Sequence, residues 1–311
     1  MKILITGAGG FVGKHLLKKL IELNYDVVAI NRSYNAFLKS LNIPVYEIDI
    51  LDFDTVFNCM KKEQPDVIIH LAAQSNVAIS WNEPILTVNS NIEGSLNVYK
   101  AFFEVNPKGK FINIGSSDEY GLTAKEGIDL TEDMICRPQN PYSISKHCTE
   151  TILLQLAKKD KVNVISTRSF NHFGPEQNKG FVVSDFTSQI AQIKKGLMKN
   201  TIYVGDLSAS RDFLYIDDIV NAYIVMIKCN LSTGVYNVSS GKAIKIEDIL
   251  KKLIQIADID VEIIIDEKKF RPAEVKRFIG NSDKLKSLTD WDVLVNIDTG
   301  LKKTFDYWMN K

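Results

Sequence analysis

The sequence predicts an α/β chain, a doubly wound parallel sheet followed by a smaller mixed α/β lobe. A strand–helix rhythm, an opening glycine turn and a break in rhythm near residue 170 predict it. Short apolar runs rich in Val and Ile (KILIT, DVVAI, VYEI, DVIIHL, KFINI, VNVISTR) alternate with stretches such as KHLLKKLIEL, whose apolar residues recur at helical spacing. Alternation sustained over this length favours parallel strands with helices on both faces. Past residue 170, NHFGPEQNKG reads as loop and DFTSQIAQIKKG as helix, and the remainder mixes short strands, helices and loops. The sheet domain is therefore expected over residues 1–170, with a return at about 210–240, and the second lobe over most of 171–311.

The first strand runs into GAGGFVG, and its glycines open a helix beginning at Phe11 and Val12. Gly7 permits a tight turn and Gly10 lets a pyrophosphate approach the N–H groups of the helix start. Gly13 allows close packing of helix on strand. A merely structural turn is the competing reading. The second strand ends DVVAINRSY, where an NAD binder usually offers Asp or Glu to the ribose hydroxyls. Asn31 is neutral there, and Arg32 and Ser33 suit a 2′-phosphate, so NADP(H) is expected over NAD(H). The alternative for Arg32 is a solvated loop residue.

The fifth strand, KFINI, ends in GSSDEYG (115–121), with neighbouring hydroxyls and an acid pair. In NPYSISKHCTE (140–150), Tyr142 and Lys146 lie one helical turn apart and can face the same cleft. A tyrosine has an ordinary pKa of about 10, and lowering it by about three units requires about 4 kcal/mol of differential stabilisation. A neighbouring ammonium and a nicotinamide charge could supply that, which would make Tyr142 a proton donor to a carbonyl oxygen.

Composition excludes other classes. The 311 residues carry 38 Lys+Arg against 38 Asp+Glu, so no basic footprint for nucleic acid exists. Cys59, Cys136, Cys148 and Cys229 have no paired spacing, which points to reduced cytosolic thiols. His15, His70, His147 and His172 show no ligand spacing, and no metal is expected. Gly7 cuts off the first apolar run, and no spanning-length run follows. A soluble cytoplasmic chain without membrane partners is expected.

The spacing G-x-x-G-x-x-G, the GSS strand end and the Y-x-x-x-K pair together resemble the short-chain dehydrogenase/reductase superfamily, in its extended branch acting on nucleotide sugars. The resemblance spans essentially the whole chain and implies a Rossmann-type NADP-binding domain. It implies that Asp49 contacts adenine with Ile50 beside it, and that Leu71, Ala72 and Ala73 of HLAA flank the cofactor. It assigns Ser116, with Ser117 as the alternate, to the substrate oxygen, Tyr142 to the proton, and Lys146 to the cofactor ribose and the Tyr142 pKa. Asp118 falls where the sugar 4,6-dehydratases carry a proton-removing glutamate, and Glu119 where the pattern is normally apolar. That departure favours a reductase and leaves elimination open, and both acids could instead cap or solvate the loop.

In the second lobe the same resemblance places Asn171 of RSFNHFGPEQ near the pyrophosphate and Val182 of GFVVSDF near the nucleotide. It places Arg211 of VGDLSASRDFLYIDDIV at the diphosphate and leaves Asp217 and Asp218 as helix caps. Arg271 and Glu274 of FRPAEV match an arginine–glutamate pair of GDP-sugar members, a fork for diphosphate and a carboxylate for ribose hydroxyls. Similarity is greatest to the GDP-4-dehydro-6-deoxy-D-mannose reductases, which implies reduction of a GDP-sugar C4 ketone by NADPH to GDP-D-rhamnose. A GDP-hexose 4,6-dehydratase, a reductase of opposite C4 stereochemistry giving GDP-6-deoxy-D-talose and a non-catalytic nucleotide-binding regulator remain alternatives. Helices at SNIEGSLNVYKAFFEV and SISKHCTETILLQLAKK suit the homodimer interface common in this superfamily, or burial within one subunit.

Overall fold

In the computed structural model, which describes residues 1–126, 128–266 and 275–311 with no side chain described at 125 or 126, a parallel sheet of seven strands carries the fold. Its strands are β1 (Lys2–Thr6), β2 (Asp26–Asn31), β3 (Val45–Glu47), β4 (Val67–His70), β5 (Lys110–Ser116) and β6 (Asn163–Ser169), joined by a strand from late in the chain. The lobe adds β7 (Asn171–Phe173), β8 (Thr201–Val204) and β9 (Ser210–Tyr215). Then come β10 (Gly234–Val238), β11 (Ala243–Lys245), β12 (Glu262–Ile265) and β13 (Arg277–Phe278). Around the sheet lie α1 (Phe11–Glu22), α2 (Ala36–Lys39), α3 (Phe53–Glu63), α4 (Val77–Asn82), α5 (Pro84–Val88), α6 (Gly94–Val105) and α7 (Pro141–Asp160). They are followed by α8 (Val182–Lys194), α9 (Ile216–Lys228), α10 (Ile246–Ala257), α11 (Asp283–Leu288) and α12 (Ile297–Asn310).

The strand order is β10-β6-β5-β4-β1-β2-β3, and every neighbouring pair is parallel. Strand side chains alternate between faces, and here both faces are buried. Ile3 and Ile5 of β1 enter a core with Leu16, Leu17 and Leu20 of α1 and Ile219 and Tyr223 of α9. Leu4 enters the opposite core, with Val56 and Met60 of α3, Val98 and Phe102 of α6 and Leu153 of α7. This explains why the strands read as continuous apolar runs. The chain winds outward from β1 in opposite directions toward β2 and β4, which opens a crevice at the carboxyl ends of β1 and β4.

Some elements differ from the sequence reading. NHFGPEQNKG begins with β7, whose Asn171–Phe173 pairs in parallel with Phe213–Tyr215 of β9. Pairing with a distant partner supplies that strand, and nothing in its own pattern signals it. Of the 210–240 segment, β10 enters the large sheet, while β9 belongs to a smaller sheet of β11, β9, β13 and β7. The stretch from SNIEGS onward is not one uniform helix, because a π-helical turn at Asn89–Glu93 joins α5 to α6. That turn aims Asn91 inward, where Nδ2 donates to Gln74 O at 3.0 Å and to Ser145 Oγ at 2.9 Å. Such turns are frequent at functional sites. Arg271 and Glu274 lie outside the described residues.

Candidate functional site

The phosphate end of the site is built from β1, its glycine turn and α1. Gly7 has φ +67°, and a Cβ there would lie 2.7 Å from the Ala72 backbone N at the end of β4. A side chain at Gly13 would meet the carbonyl oxygens of Gly7 and Ala8 at 2.6 Å, so this glycine seats the helix on its own turn. Gly10 is the N-cap of α1, with no side-chain cap bond and no acidic residue in the first turn. The uncapped N–H groups at Phe11 and Val12 therefore suit the negative charge of a dinucleotide pyrophosphate.

Asn31 does more than fail to be an acid. Its Oδ1 accepts Gly9 N–H at 3.0 Å and its Nδ2 donates to Ser33 O at 2.7 Å, so it pins the glycine turn to the end of β2. Asn35 supports it from α2, donating to Gly9 O at 3.2 Å. Arg32 and Ser33 are exposed at the mouth of this end, as is Asp49, whose Oδ1 accepts Leu51 N–H at 3.0 Å. Ile50 instead turns its side chain into the core against Gly94.

Below the crevice, His70 is buried between Thr6 Oγ1 on Nδ1 and Ser95 Oγ on Nε2, both at 2.8 Å. Ser95 donates its own proton to Asn91 O at 2.6 Å, so Nε2 carries the imidazole proton and Nδ1 accepts from Thr6. Burial, aided by the Lys146 charge, pushes His70 down to about 3 and keeps it neutral. Thr6 Oγ1 also accepts Ala72 N–H at 3.2 Å, which fixes Leu71, Ala72 and Ala73 beside the glycine turn.

The opposite wall is the end of β5 against the start of α7. Pro141 occupies the first turn of α7, and Asn140 caps it through Ser143 N at 2.8 Å. That start sets Tyr142 beside Ser116, the N-cap of the 3₁₀ turn Ser117–Tyr120. Ser117 is buried at 3% exposure, so Ser116 is the hydroxyl on the Tyr142 side. One turn along α7, buried Lys146 donates from Nζ to Ile114 O at 2.8 Å, and burial pushes it down to about 8.

Tyr142 departs from the sequence expectation. Burial first, and the Asp118 carboxylate second, push its phenol above the ordinary value, while Ser116 partly offsets them. The protein's own groups thus hold Tyr142 protonated.

The acid pair separates. Asp118 is half-buried on the Tyr142 side, and its charge also acts on Arg211 of β9. Glu119 is fully buried on the far side, where Oε1 accepts Ser116 N–H at 2.8 Å. It is therefore not placed to join Asp118 in acid–base work.

Beyond Asp118, half-buried Arg211 donates to Ser210 O at 2.9 Å, and burial pushes its guanidinium pKa down. Asn171 reaches Asp212 O at 3.4 Å from β7, and Val182 starts α8. Asp212, which sequence reasoning passed over, is fully buried and accepts Ser240 N–H at 2.8 Å, Gly241 N–H at 2.9 Å and Gly280 N–H at 3.3 Å. It ties the lobe's loops to the strand that carries Arg211 through segments far apart in sequence, which no local pattern announces. Neither Asp217 nor Asp218 caps α9, whose N-cap is Tyr215: Asp217 lies 3.6 Å from Lys303 Nζ, and Asp218 accepts the amides of Leu294 at 3.0 Å and Val295 at 3.1 Å.

Comparison with known proteins agrees with the Rossmann-type α/β fold. The family model described as GDP-mannose 4,6 dehydratase matches residues 4–304. The chain is 33% identical to a GDP-6-deoxy-D-mannose reductase of Pseudomonas aeruginosa over 310 residues, covering 100% of this chain and 98% of that protein. It is 30% identical to a dTDP-D-glucose 4,6-dehydratase of Dictyostelium discoideum, covering 99% and 83%. Among solved structures, RMD from Pseudomonas aeruginosa complexed with NADPH superposes with a TM-score of 0.89 at 33% identity over 99% of each chain. A UDP-glucose 4-epimerase from Thermotoga maritima with UDP-glucose gives 0.88 at 30% identity over 100% and 99%. The chain belongs to the GDP-mannose 4,6-dehydratase family, a nucleotide-sugar branch of the extended short-chain dehydrogenases/reductases.

Proposed function

We propose that the protein reduces the C4 ketone of GDP-4-dehydro-6-deoxy-D-mannose with NADPH, giving GDP-D-rhamnose. The observation that carries this reading is the meeting of Ser116 and Tyr142 above Lys146, across the crevice from the glycine turn. NADPH, when bound, supplies the hydride that C4 accepts. Tyr142, held protonated by burial, donates its proton to the C4 oxygen, and the Ser116 hydroxyl orients that oxygen. Lys146 has one of its three donors on Ile114 O, which leaves the others for the cofactor ribose.

Arg32 and Ser33 hold the 2′-phosphate, which gives NADPH its preference over NADH. Asn171 and Arg211 bind the substrate diphosphate, Val182 packs near the base, Arg271 adds a guanidinium fork for the diphosphate and Glu274 a carboxylate for the ribose hydroxyls. Free Cys59, Cys136, Cys148 and Cys229 fit a reducing cytoplasm. Among the described residues, no helix is long and apolar enough to cross a membrane. Exposed Trp81, Ile85, Leu86 and Val88 lie on α4 and α5 near exposed Ile144 of α7, which supports a homodimer through these helices.

Asp118 beside Tyr142 favours one second reading, a GDP-hexose 4,6-dehydratase with Asp118 as base. Incubating the protein with GDP-4-keto-6-deoxymannose and following NADPH absorbance separates them. One NADPH oxidised per sugar supports the reductase. An untouched NADPH pool together with conversion of GDP-mannose to a keto sugar supports the dehydratase.

A further inference from the structure

The acid turned away from the site is attached to it from behind. Glu119 Oε1 accepts Ser116 N–H at 2.8 Å, while Oε2 lies 3.6 Å from His147 Nδ1 and 4.0 Å from Arg168 Nε. His147 directly follows Lys146 on α7, and Lys146 reaches Ile114 O at 2.8 Å. The end of β5 is thus held to α7 by the Lys146–Ile114 hydrogen bond, and Ser116 is joined to the same helix through Glu119 and its 3.6 Å charge contact with His147, which is longer than a hydrogen bond. An apolar residue at 119 would fill the same buried space and leave Ser116 N–H without this acceptor.

Charge balance assigns His147 its part. Arg168 is committed to Glu150, with Nη2 at 2.6 Å from Oε1 and Nε at 3.2 Å from Oε2. Arg168 Nε at 4.0 Å and the Lys146 charge also act on fully buried Glu119, and a closer cation stabilises it further because an unpaired buried carboxylate is strongly disfavoured. His147 is the group in position. Cys136 faces it from the loop before α7, and Glu150 lies 3.9 Å away on its own helix. Hydrogen bonding with Cys136 first, and the Glu119 carboxylate next, push the imidazole up to about 10. Glu119, His147 and Glu150 offer ligand atoms within 4.8 Å of one another, but Arg168 already takes both Glu150 oxygens, so a proton closes the charge without a metal ion.

We propose that Glu119 is a positioning residue that, with His147 as its counter-ion, fixes Ser116 against Tyr142 for carbonyl reduction. The kinetic part rests on the reductase reading, whereas the tie itself does not.

The test compares wild type with E119Q, E119V and H147N. E119Q keeps a carbonyl oxygen for Ser116 N–H but no longer holds the His147 proton. In NMR titrations of the histidine rings, His147 holds its proton to about pH 10 in wild type and loses it at lower pH in E119Q, where Cys136 still supports part of the rise. Amide exchange at Ser116 quickens in E119V and H147N and stays near wild type in E119Q. E119V lowers kcat by about 10- to 100-fold with NADPH affinity unchanged, and E119Q recovers most of it. An unchanged His147 titration in E119Q, or unchanged Ser116 exchange in E119V, overturns the tie. Faster exchange with wild-type kcat overturns the positioning role, and loss of NADPH affinity with kcat marks a merely structural one. If E119V does not fold, H147N and E119Q decide. If wild type does not reduce the keto sugar, the reductase reading fails while titration and exchange still decide the tie.

Discussion

At Tyr142 the protein keeps a phenol protonated next to a lysine that gives up its proton readily. Burial raises Tyr142 and lowers Lys146 to about 8, which suits a tyrosine that donates and a lysine whose charge is sensitive to pH. Tyr142→Phe should lower kcat by about 10²- to 10⁴-fold with NADPH binding retained, as measured by fluorescence titration beside turnover. Activity should fall as pH rises through about 8, where Lys146 loses its charge. Unfolding would not explain that limb. The Lys146 pKa is depressed on folding from 10.5, so this group adds stability as pH climbs above about 8. His147 acts oppositely: its raised pKa gives stability that is full below 6.5 and lost as pH rises through about 10, and H147N should remove that dependence in urea melts at several pH values. Arg32→Ala should cut the preference for NADPH over NADH by about 10- to 100-fold in kcat/KM, the value of a charge-assisted phosphate bond. Tyr142 and Lys146 were legible because their spacing is local, one turn of one helix. The opposite directions of Asp118 and Glu119 were not, because a 3₁₀ turn fans successive side chains apart.

At the scale of elements, the phosphate end depends on one strand–turn–helix unit whose glycines serve different contacts. Gly7→Ala places a Cβ against Ala72 at a positive φ and should cost about 1–3 kcal/mol in denaturant unfolding, with NADPH binding weakened alongside. Six of the seven strands of the parallel sheet were readable as short apolar runs, most of them buried on both faces, whereas β10 was foreseen only as a return at about 210–240. β7 was not. Its neighbour β9 lies far along the chain, and His172 and Asn171 give a strand of only three residues no apolar alternation. The π-turn at Asn89–Glu93 was equally hidden, since its cause is the set of hydrogen bonds that Asn91 makes to Gln74 and Ser145.

For the whole molecule, Asp118 stands between Tyr142 and Arg211 with its charge acting on both, an order that the proposed reading runs from reacting carbon to substrate phosphate. Asp212 holds that arrangement from beneath through loops at Ser240, Gly241 and Gly280, contacts that no sequence spacing announces. The exposed helix face presents Ile85 at 76% and Trp81 at 62% exposure, an arrangement that water disfavours. Ile85→Glu should convert a wild-type dimer to a monomer in sedimentation velocity, and a wild type that already sediments as a monomer would remove the interface. The most direct measurement of the proposed chemistry uses NADPH deuterated at the transferred position, with GDP-4-keto-6-deoxymannose as substrate and NMR of the sugar. Hydride transfer predicts one deuterium at C4 of GDP-D-rhamnose for each NADPH consumed. No label at C4, with NADPH intact and GDP-mannose converted to a keto sugar instead, would contradict it.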